Sequence, residues 1–130
     1  MKRLTLNDLS AEEKLRLICS DGFWHTPSLG GKLPRVSVSD GPVGLRKELR
    51  YEDGRVETIP SVAYPAVQSL ANSWSREGAR AMGEALADDC IENDVDILLA
   101  PGVNIKRCPL NGRNFEYFSE DPYLAGTLAY

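Results

Sequence analysis

The run Asp96-Ile97-Leu98-Leu99-Ala100, almost wholly apolar and closed by Pro101-Gly102, places the tightest limit on what this chain can fold into. A strand without alternation has no face to offer water, and such strands belong to parallel sheets covered on both sides. A helix precedes it. Ser75 is a suitable N-cap, and Ala79, Met82, Gly83, Leu86 and Cys90 recur at 3, 4, 7 and 11 residues, giving one apolar face that ends near Asn93. Upstream, Arg35-Val36-Ser37-Val38 is a brief β-prone run that stops at Ser39-Asp40-Gly41-Pro42. Downstream, a long polar loop reaches Asp121-Pro122, where an Asp N-cap with Pro at the first helical position predicts a helix through Tyr130, cut off in mid-element. Strand, helix, strand, long loop and helix form a repeating α/β pattern. It fits a parallel-stranded barrel or an open doubly wound sheet, and both place ligands beyond the C-terminal ends of the strands.

The remaining segments are less constrained. Ser10-Ala11-Glu12-Glu13 has capping-box spacing, and Leu15, Ile18 and Cys19 follow at helical intervals, so a short helix is expected from about 11 to 20. Gly22, Pro27, Gly30 and Gly31 break that pattern. Residues 47 to 58 are mostly charged, have no apolar stripe and read as an exposed excursion. A further unit begins near Ala66 and passes Asn72-Ser73-Trp74 before the helix that Ser75 caps.

Composition excludes several classes of function. With 130 residues and 42% hydrophobic content the chain can form one domain with an ordinary core. The formal charge of -4 offers no attraction to phosphate backbones or anionic lipid, so neither nucleic acid nor a membrane is an expected partner. No stretch of about 18 apolar residues occurs. Met1-Lys2-Arg3 has no apolar run behind it to make a signal peptide, so the chain reads as cytoplasmic. Cys19, Cys90 and Cys108 are odd in number and widely spaced, which fits free thiols and no metal site. His25 is the single histidine, and its neighbours Trp24 and Thr26 do not suggest a nucleophilic triad. Neither G-x-x-x-x-G-K-[ST] nor G-x-G-x-x-G occurs, so no nucleotide cofactor is expected, nor any other.

Two polar clusters lie where the fold class puts ligands. In the first, Asp40 directly follows the β-prone run, Gly41 and Pro42 set a tight turn, and Arg46 comes six residues after Asp40. A carboxylate beside a planar, forked donor can grip vicinal hydroxyls from two sides, which suits a sugar. The same pair also fits a plain role, Asp40 capping the turn and Arg46 making a surface ion pair. In the second, Asn111-Gly112-Arg113-Asn114-Phe115-Glu116-Tyr117-Phe118-Ser119-Glu120-Asp121 crowds charges and aromatics into one loop, a composition that usually binds something. Arg113 is the candidate hydroxyl donor there and Glu116 the internal partner that holds it. Glu120 and Asp121 read as first-turn helix charges. Phe115, Tyr117 and Phe118 read as packing residues, and Trp24 and Trp74 are open between core and ligand contact.

Taken together, Asp21-Gly22-Phe23-Trp24-His25-Thr26, Ser39-Asp40-Gly41-Pro42-Val43-Gly44-Leu45-Arg46, Pro101-Gly102-Val103-Asn104-Ile105-Lys106-Arg107 and Gly112-Arg113-Asn114-Phe115-Glu116-Tyr117-Phe118-Ser119-Glu120-Asp121-Pro122 resemble the start of glycoside hydrolase family 3, β-glucosidase type. The likeness runs from about Leu6 to Tyr130, and four motifs in order make it specific. It implies the first portion of a (β/α)8 TIM-like N-terminal barrel over residues 1–130, with the rest of the barrel and an α/β sandwich domain elsewhere. It implies a retaining enzyme acting on terminal non-reducing β-D-glucosyl or related residues of an oligosaccharide or glucoside. Asp40, Arg46 and Arg113 match family positions that bind the terminal sugar. The family's Lys-His pair, nucleophilic Asp and general acid fall beyond Tyr130, so the segment alone is expected to be inactive. Asp40 and Glu116 are not taken as the catalytic carboxyl pair, which in retaining enzymes stands about 5 to 5.5 Å apart, because the family assigns Asp40 to binding. A non-catalytic carbohydrate-binding module or an inactive remnant is the rival expectation.

Overall fold

The computed structural model describes residues 4–19 and 21–130. Met1–Arg3, weighed above as the start of a leader, and Ser20, placed at the end of the first helix, lie outside that range. The first helix, α1, spans Ala11–Ile18. Its capping box is closed: the Ser10 hydroxyl accepts from the Glu13 N–H at 3.1 Å, and the Glu13 carboxylate accepts from the Ser10 N–H at 2.7 Å. The apolar side predicted for it is open, with Leu15 65% and Ile18 82% exposed.

Strand β1, Val38–Asp40, starts later than the β-prone run suggested. Val36 and Ser37 are instead taken up by an antiparallel contact with the segment before them, where the Thr26 N–H donates to Val36 and the Val38 N–H to Trp24. The charged stretch after β1 is exposed as expected, but it is regular. Strands β2, Glu48–Arg50, and β3, Val56–Thr58, pair antiparallel around a turn containing Gly54 at φ 84°. Cross-strand contacts between polar side chains, such as Tyr51 Oη donating to Glu57 at 3.1 Å, give this hairpin its lining without an apolar stripe.

Two helices then bring the chain back. Helix α2, Val67–Ser73, ends on Trp74 in the left-handed region. Helix α3, Arg76–Glu92, starts where predicted: the Ser75 hydroxyl accepts from the Gly78 N–H at 3.0 Å. At its far end the Lys47 ammonium binds the Asn93 carbonyl, a cation at the negative end of the helix dipole.

Strand β4, Ile97–Leu99, lies parallel to β1 in the register Val38↔Ile97, Ser39↔Leu98 and Asp40↔Leu99. Its expected two-sided burial is not found. Ile97 is 48% and Leu99 53% exposed, because β4 has one neighbouring strand here and packs through Leu98 alone. Helix α4, Pro122–Ala129, closes the described chain, with Asp121 accepting from the Tyr123 N–H at 2.9 Å.

The core falls into two clusters. Val67 and Ala71 of α2 pack on Phe118 and on Ala125 and Leu128 of α4. Leu45, Cys90 and Val95 pack beside the sheet. Between α3, β4 and α4 an open cavity of about 1360 Å³ is lined by Met82, Leu86, Val95, Leu98 and Leu128 among others. Among the described residues no helix is long and apolar enough to cross a membrane.

Candidate functional site

Asp40 is the last residue of β1, and the turn behind it can be made only by glycine. Gly41 and Gly44 sit at φ 147° and 140°, a region that L side chains avoid. A Cβ on Gly41 would stand 2.3 Å from the Gly44 carbonyl oxygen, and one on Gly44 would stand 2.2 Å from that of Val62. Leu45, 1% exposed, anchors the turn in the core. The chain therefore doubles back so that the Arg46 N–H donates to the Asp40 carbonyl at 2.8 Å.

The second half of the site hangs from β4. Because Asp40 is in register with Leu99, the two strands end at one level and their loops leave from the same edge. Gly102 pairs with Tyr117 so closely that a Cβ there would stand 2.5 Å from the Glu116 carbonyl oxygen and 2.9 Å from the Tyr117 ring. Loop 113–117 is thereby pressed against the end of β4. Within it Asn114–Glu116 forms one 3-10 turn, Glu116 is 9% exposed, and its carboxylate pairs with Nε of the exposed Arg113. The Asn114 amide donates to the Cys108 carbonyl at 2.9 Å and fixes the turn from outside.

The electrostatics join the two halves. The hydrogen bond and charge of Glu116 push the Arg113 guanidinium above its ordinary value, and the field of Asp40 adds to that effect. Asp40 and Arg113 are 73 positions apart in the chain, and the field of Asp40 is the smallest of the contributions at Arg113. The Arg113 guanidinium also lies 5.9 Å from the centre of the Tyr117 ring.

Arg46 is placed differently from its two proposed companions. Its backbone is bridged to Asp40, and the residue borders a recess of about 320 Å³ with Thr58, Ile59 and Val62, a lining that includes neither Asp40 nor Arg113. Its charge is felt at Glu48. That carboxyl is held below the usual range first by the Trp24 indole N–H, 3.0 Å away, then by Arg50 at 2.9 Å, with Arg46 contributing. Glu48 lies in the stretch read as a solvated excursion, and no local signal marks it because Trp24 is 24 positions upstream.

The aromatics divide. Tyr117 and Phe118 are buried, as their reading as packing residues expected, whereas Phe115 is half exposed. Trp24 is half-buried and tied to Glu48, and Trp74 is exposed. Burial lowers the His25 imidazole and the Lys106 ammonium; Lys106 Nζ donates to Gln68 at 3.3 Å. Among the described residues no group of three His, Cys, Asp or Glu side chains could hold a metal ion.

These features define an α/β protein whose polar groups gather at the C-terminal ends of parallel strands, the edge that carries ligand sites in that class. Residues 34–130 match the glycosyl hydrolase family 3 N terminal domain, and the chain belongs to that family, as its four motifs implied. It is 45% identical over 129 residues to the thermostable β-glucosidase B of Acetivibrio thermocellus, and 44% identical over 126 residues to an exo-α-(1->6)-L-arabinopyranosidase of Bifidobacterium longum. These alignments cover 95% and 94% of this chain, and 17% of each relative. A β-glucosidase structure from Kluyveromyces marxianus in complex with glucose aligns with a TM-score of 0.84 at 36% identity, over 95% of this chain and 14% of that one. A family 3 β-glucosidase from Bifidobacterium adolescentis aligns with a TM-score of 0.79 at 43% identity, over 95% and 17%. The chain therefore spans less than a fifth of the length of these relatives.

Proposed function

We propose that residues 1–130 form the first portion of the (β/α)8 barrel domain of a retaining glycosidase that removes terminal non-reducing β-D-glucosyl or related residues. The remaining barrel units and an α/β sandwich domain complete the parent enzyme. Asp40 accepts hydrogen bonds from two neighbouring hydroxyls of the terminal sugar, and Arg113, held by the buried Glu116, donates to that sugar from the next loop. Arg46 adds its charge from the turn behind Asp40. The nucleophile and the general acid belong to the rest of the parent enzyme, so this segment binds and orients the sugar without cleaving it. The single observation that carries the proposal is the parallel register of β1 with β4, which brings Asp40 and the loop bearing Arg113 to the same sheet edge.

Relatives of nearly equal identity are named for a glucosidase and an arabinopyranosidase. The contacts assigned here are accordingly to ring hydroxyls, with no role in telling one pyranoside from another. The test is to express the extended reading frame and assay it on a panel of aryl glycosides beside Asp40→Ala. Loss of two charge-assisted hydrogen bonds should lower kcat/KM by roughly 100-fold or more. Unchanged activity in that variant would remove Asp40 from the site. A wild type that binds glucose but cleaves no glycoside would instead be a carbohydrate-binding module.

A further inference from the structure

Asn111-Gly112 is the only Asn-Gly pair in the sequence, and it lies in the loop that carries Arg113. Both residues are exposed. A Cβ built on Gly112 would meet nothing within 4 Å, so the backbone after Asn111 is unobstructed on the side where any other residue would carry a side chain. The Asn111 side chain is already turned toward that backbone, its Oδ1 accepting from the Arg113 N–H at 3.3 Å. The remaining asparagines are each followed by a residue with a side chain. Two of them also commit their amides to backbone carbonyls, Asn93 to Asp89 at 2.8 Å and Asn114 to Cys108 at 2.9 Å. Asp21, Asp40 and Asp53 precede glycines as well, but each is a carboxylate at neutral pH and a poor electrophile.

An unshielded amide beside an unshielded peptide nitrogen can react within the chain. Hydroxide removes the Gly112 N–H proton, the nitrogen attacks Asn111 Cγ, and the side-chain nitrogen leaves with a proton as ammonia, which closes a succinimide ring. Water opens the ring at either carbonyl, giving aspartate or, with the main chain rerouted through Cγ, isoaspartate. One water is consumed, one ammonia is released, and nothing is oxidised or reduced. The isoaspartate form lengthens the main chain by one methylene just ahead of Arg113. It also undoes the contacts that shape the loop. The Asn111 carbonyl that accepts from the Asn114 N–H at 3.2 Å becomes a carboxylate hanging off the chain. The Asn111 amide donates to Asn114 Oδ1 at 3.2 Å, and a carboxylate has no hydrogen to donate there.

We infer that Asn111 is a site of spontaneous deamidation, and that its isoaspartate form displaces Arg113 and weakens the hold on the sugar as the protein ages. The effect on activity rests on the glycosidase reading above; the chemical change at Asn111 does not. The test incubates the full-length parent enzyme in mildly alkaline and in mildly acid buffer. The peptide containing Asn111 is followed by mass spectrometry and by isoaspartate methyltransferase labelling, and kcat/KM is followed on an aryl glycoside. The peptide should exchange NH2 for OH faster in the alkaline sample, where more of the Gly112 nitrogen is deprotonated. The isoaspartyl fraction should have a kcat/KM roughly 100-fold lower, the scale of a displacement of about 1 Å. Asn111→Gln, whose longer side chain closes such a ring far more slowly, should keep its own starting activity through the same incubation, and Gly112→Ala should slow the conversion. An unchanged peptide mass in alkaline buffer overturns the modification site, and full conversion at undiminished kcat/KM overturns its effect on Arg113. A parent enzyme that cleaves no glycoside before incubation overturns the glycosidase reading, and the peptide mass still decides the modification.

Discussion

Gly102 concentrates what single residues decide in this chain. Its importance comes from approach distance, since any side chain would meet the Glu116 carbonyl at 2.5 Å and force loop 113–117 off the end of β4. Arg113 rides on that loop. In the full-length enzyme Gly102→Ala should therefore cost roughly 100-fold in kcat/KM, the scale of a misplacement of about 1 Å, with little change in far-UV circular dichroism. Activity within a factor of two of wild type would show that the loop yields without moving Arg113. At this scale much of the candidate site was legible. Asp40 after a β-prone run and Arg113 three positions before Glu116 are local patterns, and their chemistry follows from residue type. The pairing of Glu48 with Trp24 was not legible, because a contact across 24 positions leaves no trace in either segment alone.

The starts of α1, α3 and α4 were read accurately, and for the same reason. A cap is a bond between a side chain and a backbone N–H two or three residues on, so Ser10, Ser75 and Asp121 announce α1, α3 and α4 whatever the rest of the fold does. Ser75 has the most consequence, because α3 carries Leu86 and Cys90 into the interior. Ser75→Ala in the full-length enzyme should lower stability by about 1 kcal/mol, read as a lower denaturant midpoint at unchanged slope. An unshifted midpoint would mean that packing holds the helix start without its cap. Strands were read less well. The β2–β3 hairpin was hidden because its partners are charged and exposed, and β4 seemed buried because an apolar run reports what a strand needs and not what surrounds it.

At the scale of the whole molecule the apolar surfaces are not closed. Among the described residues β4 pairs with no strand but β1, Ile97 and Leu99 are about half exposed, and the cavity between α3, β4 and α4 is open. An open parallel edge with an uncovered apolar face favours association with other chains. Purified residues 1–130 should therefore aggregate or melt without a cooperative transition. A sharp thermal transition from a species that sediments as a monomer would contradict this.

Residue order alone determined the helix starts, the glycine-bound turn after Asp40, and the crowding of charges around Arg113, since each rests on neighbours a few positions apart. It also sufficed for membership in the family. Only the tertiary structure decided that Asp40 and Arg113 share an edge and that Glu48 pairs with Trp24. Those outcomes depend on the parallel register of β1 with β4 and on which surfaces find a partner, quantities set by the packing of segments far apart along the chain.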